Sequence, residues 1–287
     1  MSEMIGEVYI VLGMHRSGTS MVAGMLHRAG VSMGLPQDFY PPSSKENIKG
    51  FYENVHFRRV NDSILRIYGY VTKQWNPTFE RSEQLRDSWA LRNLPRIRFL
   101  RGLGYLYLVL KRRWLGHTMR SLLRRYSTRF GRWGWKDPRQ MLTLPEWYTE
   151  IRALRMVNDL RVVFVFRHPL SVAVSMRKRG DIQTVAHGLA VWHLYNREAI
   201  SFVRAHSIPT VVVSYESLVG GTPSTHAALR SFLQEPLSAP EILSFIDADL
   251  NRSGQERDCV ELRGLDPDVN CLYEQLIGLS DSVIGLE

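Results

Sequence analysis

The stretch Val8-Tyr9-Ile10-Val11-Leu12-Gly13-Met14-His15-Arg16-Ser17-Gly18-Thr19-Ser20 decides how the rest of the chain is read. Val8 to Leu12 is a short, apolar, β-branched run of the kind that forms a buried strand. Gly13 to Ser20 is a tight loop bounded by glycines, and Met21 to Ala29 continues as a helix. Strand, glycine loop and helix N-terminus together make an anion site, because free backbone N–H groups and the helix dipole both favour negative charge there. The spacing G-x-x-x-x-G matches a nucleotide phosphate loop, but Thr19 and Ser20 follow Gly18 where such a loop has Lys and Ser/Thr. The cation sits earlier, at Arg16. The loop is suited to a phosphate-like group and lacks the lysine that reaches the terminal phosphates of a nucleoside triphosphate.

Outward from the loop, strands alternate with helices. Helix signals cover Ser17 to Ala29, with Gly30 as the stop, and about Val55 to Ile67, where Val60, Ile64, Leu65 and Ile67 share a face. Between them, Val31 to Gly50 is loop-like. Residues 83 to 128 read as helices. Arg132 to Trp135 is a strand candidate leading into Lys136-Asp137-Pro138-Arg139, and Leu144 to Asn158 is a helix candidate with Pro145 in its first turn. Arg161 to Phe166 is the clearest buried strand, without polar alternation, as in a parallel sheet covered on both faces. A helix from about Leu170 to Lys178, another from Thr184 to Ala205, a strand from Thr210 to Val213 and a helix over 225–234 follow. Trp133, Trp135 and Trp192 are expected in the core. The last 50 residues carry no motif. This pattern predicts an α/β fold: a P-loop-like parallel sheet flanked by helices, with a helical basic insertion at about 83–130, in a single domain over 1–287.

The 287 residues are 44% hydrophobic and 23% charged, ordinary for a globular protein. Cys259 and Cys271 make neither a disulfide framework nor a metal cluster. No signal peptide or spanning segment is evident, so a cytoplasmic location is expected. The net charge of +9 is local: Ser88 to Lys136 holds thirteen Lys/Arg and no acid, and the rest of the chain carries a net −4. That segment calls for an acidic partner: an anionic cosubstrate, an anionic acceptor or a membrane surface. Nucleic acid is not expected. Within it, Leu103 to Leu110 followed by Lys111-Arg112-Arg113-Trp114 allows two readings. One is a core helix with a basic end. The other is a peripheral membrane contact, since basic and aromatic residues beside an apolar face mark an interfacial helix.

In open parallel sheets ligands bind beyond the carboxyl ends of the strands. Arg16, Lys136, Arg167 and Tyr215 all fall there. Ser175 and Arg179 are four residues apart on the helix after Arg167 and share its face. Two guanidiniums and a hydroxyl suit a dianionic phosphate. The chain thus offers two phosphate sites, a backbone cradle and an Arg-Ser-Arg clamp.

With these motifs the chain resembles the sulfotransferases that use 3′-phosphoadenosine 5′-phosphosulfate. His15-Arg16-Ser17-Gly18-Thr19-Ser20 is similar to the family's 5′-phosphosulfate loop, and Val163 to Ser175 to its 3′-phosphate segment. Arg16, Lys136-Asp137-Pro138 and Tyr215-Glu216-Ser217-Leu218-Val219 resemble the tyrosylprotein and carbohydrate branches more than the small-phenol branch. Residues 70 to 130 match nothing in the family's pattern.

The resemblance implies roles. Arg16 would contact the sulfuryl group and bridging oxygen, and Lys136 the transferring sulfuryl. The N–H groups of Ser17, Gly18, Thr19 and Ser20, with the Thr19 and Ser20 hydroxyls, would hold the 5′-phosphate. Arg167, Ser175 and Arg179 would hold the 3′-phosphate, with Tyr215 near the nucleotide. His15 would pack against the loop or touch the ligand. Glu53 is the preferred base for the acceptor hydroxyl, with His56 its rival. No metal is required, since Arg and Lys supply the positive charge. The implied acceptor is a hydroxyl on a carbohydrate or glycolipid. Two other readings remain: a P-loop kinase, with Asp137 as the only candidate Mg²⁺ ligand, and a non-catalytic anion- or membrane-binding module.

Overall fold

A computed structural model describes residues 6–41, 50–70, 75–79, 98–234 and 266–285 of the chain. Five strands form one sheet in the order β2-β1-β3-β4-β5, where β1 is Glu7–Leu12, β2 Arg132–Lys136, β3 Leu160–Phe166, β4 Thr210–Ser214 and β5 Val283–Ile284. The first four are mutually parallel, and β5 runs antiparallel to β4. The chain steps from β1 to one side, at β2, and then back to the other side, at β3. The strand order therefore reverses at β1, and in open parallel sheets a ligand crevice forms beyond the carboxyl ends of the strands at such a point, here β1 and β3.

The helices are α1 (Thr19–Arg28), α2 (Val55–Ile67), α3 (Arg98–Ser127), α4 (Gln140–Ala153), α5 (Pro169–Arg179), α6 (Val185–Ala205), α7 (Tyr215–Val219), α8 (Pro223–Leu233) and α9 (Pro267–Gly278). Every residue from Val8 to Leu12 and from Val162 to Phe166 is fully buried, because both faces of the sheet are covered. Tyr9, Val11, Val163, Val165, Val211 and Val213 pack on one face with α1 and α8. Val8, Ile10, Leu12, Val162, Phe164 and Phe166 pack on the other with α2, α4 and α6. On that face Phe57 stacks on Trp135 and Trp147, at 4.6 and 5.0 Å between ring centroids. This aromatic cluster fixes α2 against β2 and so sets the position of Lys136 at the strand's end.

The structure departs from the sequence expectations in three places. Helix α4 begins at Gln140 rather than Leu144 and ends at Ala153 rather than Asn158, so Pro145 sits inside it. The earlier start follows from Asp137: its Oδ1 accepts the Arg139 backbone N–H at 3.0 Å, and its carbonyl accepts that of Gln140 at 2.8 Å. The early end follows from Arg155, which turns into the left-handed region at φ 58°. Second, β5 lies in the tail that offered no motif; a two-residue strand has no periodicity to detect. Third, of the two readings of Leu103 to Leu110, the core helix holds for Leu108 but not for most of the run. Leu108 is buried, whereas Leu103, Leu106, Tyr107 and Leu110 face solvent. Residues 83–97, expected to be helical, and Cys259 lie outside the described residues.

Candidate functional site

The loop after β1 is shaped by close approaches. A Cβ on Gly13 would come within 2.5 Å of the Val165 carbonyl oxygen, and one on Gly18 within 2.3 Å of the Tyr215 ring. Gly18 also sits at φ 83°, where a side chain is strained. Arg16 occupies the left-handed region at φ 70° without being glycine. A non-glycine residue held there costs about 1–3 kcal/mol, and such residues occur in tight turns and cluster at functional sites. Helix α1 starts at Thr19 with no side-chain cap on its first turn. Its leading N–H groups are therefore available to an anion. Ser17 is fully buried, and its hydroxyl oxygen lacks a hydrogen-bond partner.

The end of β3 and helix α5 close on this loop from the side. Arg16 Nε donates to Ser175 Oγ at 2.8 Å. Arg167 Nη1 donates to the Arg16 carbonyl at 3.2 Å, and its guanidinium lies 4.4 Å from the Tyr215 ring centre. The fold thus brings Arg16, Ser175, Arg167 and Tyr215, spread over 200 residues of chain, onto one loop. Arg179 is placed differently. It shares the α5 face of Ser175 but donates through Nε to Asp181 Oδ2 at 2.5 Å. His15 packs edge-on to Trp75, 4.8 Å between ring centres, so it buttresses the loop. Burial, reinforced by Arg139, Arg179 and Lys136, holds its imidazole well below the usual histidine range. It is neutral at neutral pH.

On the opposite side, Lys136 is buried at the end of β2. Its ammonium donates to Glu53 Oε1 at 2.9 Å, Ser20 Oγ at 3.1 Å and the Phe51 carbonyl at 3.4 Å. It therefore ties the loop to the segment before α2. Burial pushes the Glu53 carboxyl up, but Lys136 and Arg139 outweigh it and hold the group below the usual carboxylate range. Glu53 is ionised at neutral pH and, while Lys136 is against it, a weak base. His56 lies one turn further on, where Asn54 caps α2 by accepting its N–H at 3.0 Å. Its Nε2 is 3.5 Å from Asp38 Oδ1.

Several contributors were not anticipated from the sequence. Arg139 is buried and bonds Asp137 Oδ1 and Asp62 Oδ1, both at 2.8 Å, with Glu53 Oε2 at 3.8 Å. Asn61 donates to Asp137 Oδ2 at 2.9 Å and accepts from Trp147 Nε1 at 2.7 Å. Tyr126 donates to Asp38 Oδ2 at 2.7 Å and accepts from Asn54. The signal for Arg139 was present in Lys136-Asp137-Pro138-Arg139, where a proline turn brings the Asp and Arg side chains together. Asn61, Asp62 and Asp38 had none, because isolated polar residues become partners only through packing.

The arrangement can do two things chemically. Arg16, Arg167, the α1 amides and Ser175 can hold an anion at the loop. Lys136 and Glu53 place a cation and a carboxylate side by side at its edge, where charge can be stabilised and a proton accepted.

The family model described as the Sulfotransferase family matches residues 9–239 of the chain. Among solved structures, the sulfotransferase domain of the Synechococcus PCC 7002 olefin synthase is 16% identical, with 94% of each chain covered and a TM-score of 0.49. The sulfotransferase STF1 of Mycobacterium tuberculosis H37Rv is 19% identical, covering 96% of this chain and 77% of its own, with a TM-score of 0.43. No curated protein matches the sequence.

Proposed function

The chain belongs to the sulfotransferase family, and we propose that it moves a sulfuryl group from 3′-phosphoadenosine 5′-phosphosulfate to a hydroxyl on a carbohydrate or glycolipid. The observation that carries the choice of donor is the bond from Arg16 Nε to Ser175 Oγ at 2.8 Å. It joins the phosphate loop after β1 to the helix after β3, so two anion-binding features sit at one crevice. A nucleotide with phosphates on both its 5′ and 3′ sides fits that pairing better than one with a linear triphosphate. The buried, unpartnered Ser17 hydroxyl and the uncapped start of α1 fit a phosphate at the loop. When bound, the donor supplies an activated sulfuryl group and a phosphate leaving group.

The chain's residues then divide the work. The Thr19 and Ser20 amides and hydroxyls hold the 5′-phosphate, while Arg167, Ser175 and Arg179 bind the 3′ side, Arg179 doing so by exchanging Asp181. Tyr215, against which Arg167 packs, would lie near the nucleotide. Arg16 and Lys136 offset negative charge on the sulfuryl oxygens and the leaving oxygen. Glu53 accepts the acceptor hydroxyl's proton. Lys136 would couple these roles: with its ammonium turned toward the sulfuryl group, Glu53 would keep Arg139 at 3.8 Å but lose its nearest counter-charge, and so be a stronger base. His56, within reach of Asp38, is the alternative base.

Titration calorimetry with 3′,5′-phosphoadenosine and with ATP–Mg²⁺ tests the donor, followed by a labelled-sulfate screen of hydroxyl acceptors. Tight binding of 3′,5′-phosphoadenosine and weak binding of ATP are expected. Tight ATP–Mg²⁺ binding with phosphoryl transfer and no affinity for 3′,5′-phosphoadenosine would overturn the proposal.

A further inference from the structure

Helix α3 carries a surface that the site leaves unused. Leu103, Leu106, Tyr107, Leu110 and Trp114 are each 49–60% exposed. Their spacing of three, four, seven and eleven residues puts them on one stripe, about 100° wide and about 16 Å long. The opposite side of the same helix is buried through Leu108, Leu115, Met119, Leu122, Leu123 and Tyr126. The helix is thus amphipathic twice over: one apolar face meets the core and the other meets solvent. Isolated exposed leucines are ordinary, but an aligned row of five large apolar side chains on one helix marks an interaction surface.

The charges around the stripe identify its partner. Lys111 and Arg113 project on either side of it, about 80° from its centre on a helical wheel. Lys111 lies 5.5 Å from the Tyr107 ring centre, its stem alongside the stripe. Arg112, Arg124 and Arg125 are exposed on the same helix, and the whole of α3 contains no acid. Arg120 is occupied by Glu150. An apolar stripe with an aromatic at its end, flanked by cations that can reach outward, matches the layering of a bilayer surface, with acyl chains beneath anionic headgroups. A second copy of the chain fits poorly. A two-fold contact would bring these cations against their own counterparts with no acid from either helix to neutralise them.

We propose that the face Leu103–Trp114 of α3 docks the protein on an anionic phospholipid surface. The stripe lies in the interface, Trp114 marks its depth, and Lys111 and Arg113 meet the headgroups. The helix is not apolar enough to cross, and no helix among the described residues is. The docking concerns binding alone and holds whichever group the site transfers.

Co-sedimentation of the full chain with vesicles of phosphatidylcholine alone, or mixed with phosphatidylglycerol, tests it. Strong partitioning is expected only onto the phosphatidylglycerol vesicles, weakening as salt is raised. Leu106→Glu with Leu110→Glu, at exposed positions that do not support the core, should weaken partitioning about tenfold or more. Lys111→Glu with Arg113→Glu should do likewise. Trp114 is the only exposed tryptophan among the described residues. Its emission should shift to the blue on vesicle binding, and Trp114→Phe should abolish most of that shift. Failure to bind either vesicle overturns the proposal, as does binding that the four substitutions leave unchanged. A concentration-dependent dimer that Leu106→Glu with Leu110→Glu dissociates, without vesicle binding, would assign the face to a second copy and overturn it equally.

Discussion

The two sides of the crevice are built on different principles. At the loop after β1, shape comes from the backbone: Gly18 and Arg16 at positive φ, and a helix start left without a cap. Its side chains reach across the loop, Arg16 to Ser175 and Arg167 to a carbonyl, a ring and, at 3.9 Å, the half-exposed Glu216 carboxylate. At the end of β2, shape comes from charge. Lys136 and Arg139 are buried among Glu53, Asp137 and Asp62. Buried charges are tolerable only when paired, and removing one partner leaves the other in a poor dielectric. Loss of a cation is therefore expected to cost the loop side less than the β2 side, where the ion pairs are shorter and more deeply buried.

The contrast is broken most directly at Arg139. Arg139→Met should cost about 3–5 kcal/mol, read by chemical denaturation, because Asp137 and Asp62 lose their buried counter-ion. A loss below about 1 kcal/mol would mean that the β2 side does not depend on its ion pairs. Glu53→Gln should cost less, about 1–3 kcal/mol, since Lys136 keeps the Ser20 and Phe51 oxygens. It should abolish sulfate transfer and leave nucleotide affinity intact. Retained turnover would move the base role to His56. The same pair sets an acid limit. Because the folded-state pKa of Glu53 is lowered, its contribution is present above the ordinary carboxylate value of about 4.3 and lost as pH falls through the lower folded value. Glu53→Gln should remove that part of the acid sensitivity in a pH series.

On the loop side, Arg167→Ala should weaken 3′,5′-phosphoadenosine binding by about 1.5–3 kcal/mol in calorimetry while costing less stability than Arg139→Met. Equal stability losses in the two variants would erase the distinction between the two sides. At neutral pH the smallest effect is expected at His15, which is mostly uncharged there in both the folded and the unfolded chain. Its folded pKa is depressed, so the unfolded chain binds the extra proton first, and stability declines as pH falls below about 6.5. His15→Gln should flatten the stability profile there, a change visible in melting temperature against pH.

The loop side was almost fully legible in the sequence. Gly13, Arg16, Gly18 and the helix from Thr19 are contiguous, and local spacing encodes a local structure. Arg167 and Ser175 were legible too, because a strand end and the next helical turns have fixed geometry. The β2 side was legible only in Lys136 and, by resemblance, Glu53. Arg139, Asn61, Asp62 and Asp38 acquire their roles from contacts between α2, β2 and the segment before α2, which no local pattern records.

By itself the sequence determined where strands and helices alternate along the chain, the glycine-bounded loop after β1 and the concentration of positive charge before β2. Those follow from side-chain periodicity, glycine placement and composition, all short-range properties. Only the tertiary structure decided that Lys136 and Glu53 pair beside Ser20, that Arg16 reaches Ser175, and that the stripe of Leu103, Leu106, Tyr107, Leu110 and Trp114 faces solvent. Each is a contact, or the lack of a covering element, between segments distant in sequence. Burial sets how strong such a charge pair is, and whether an apolar stripe is core or surface depends on what packs over it.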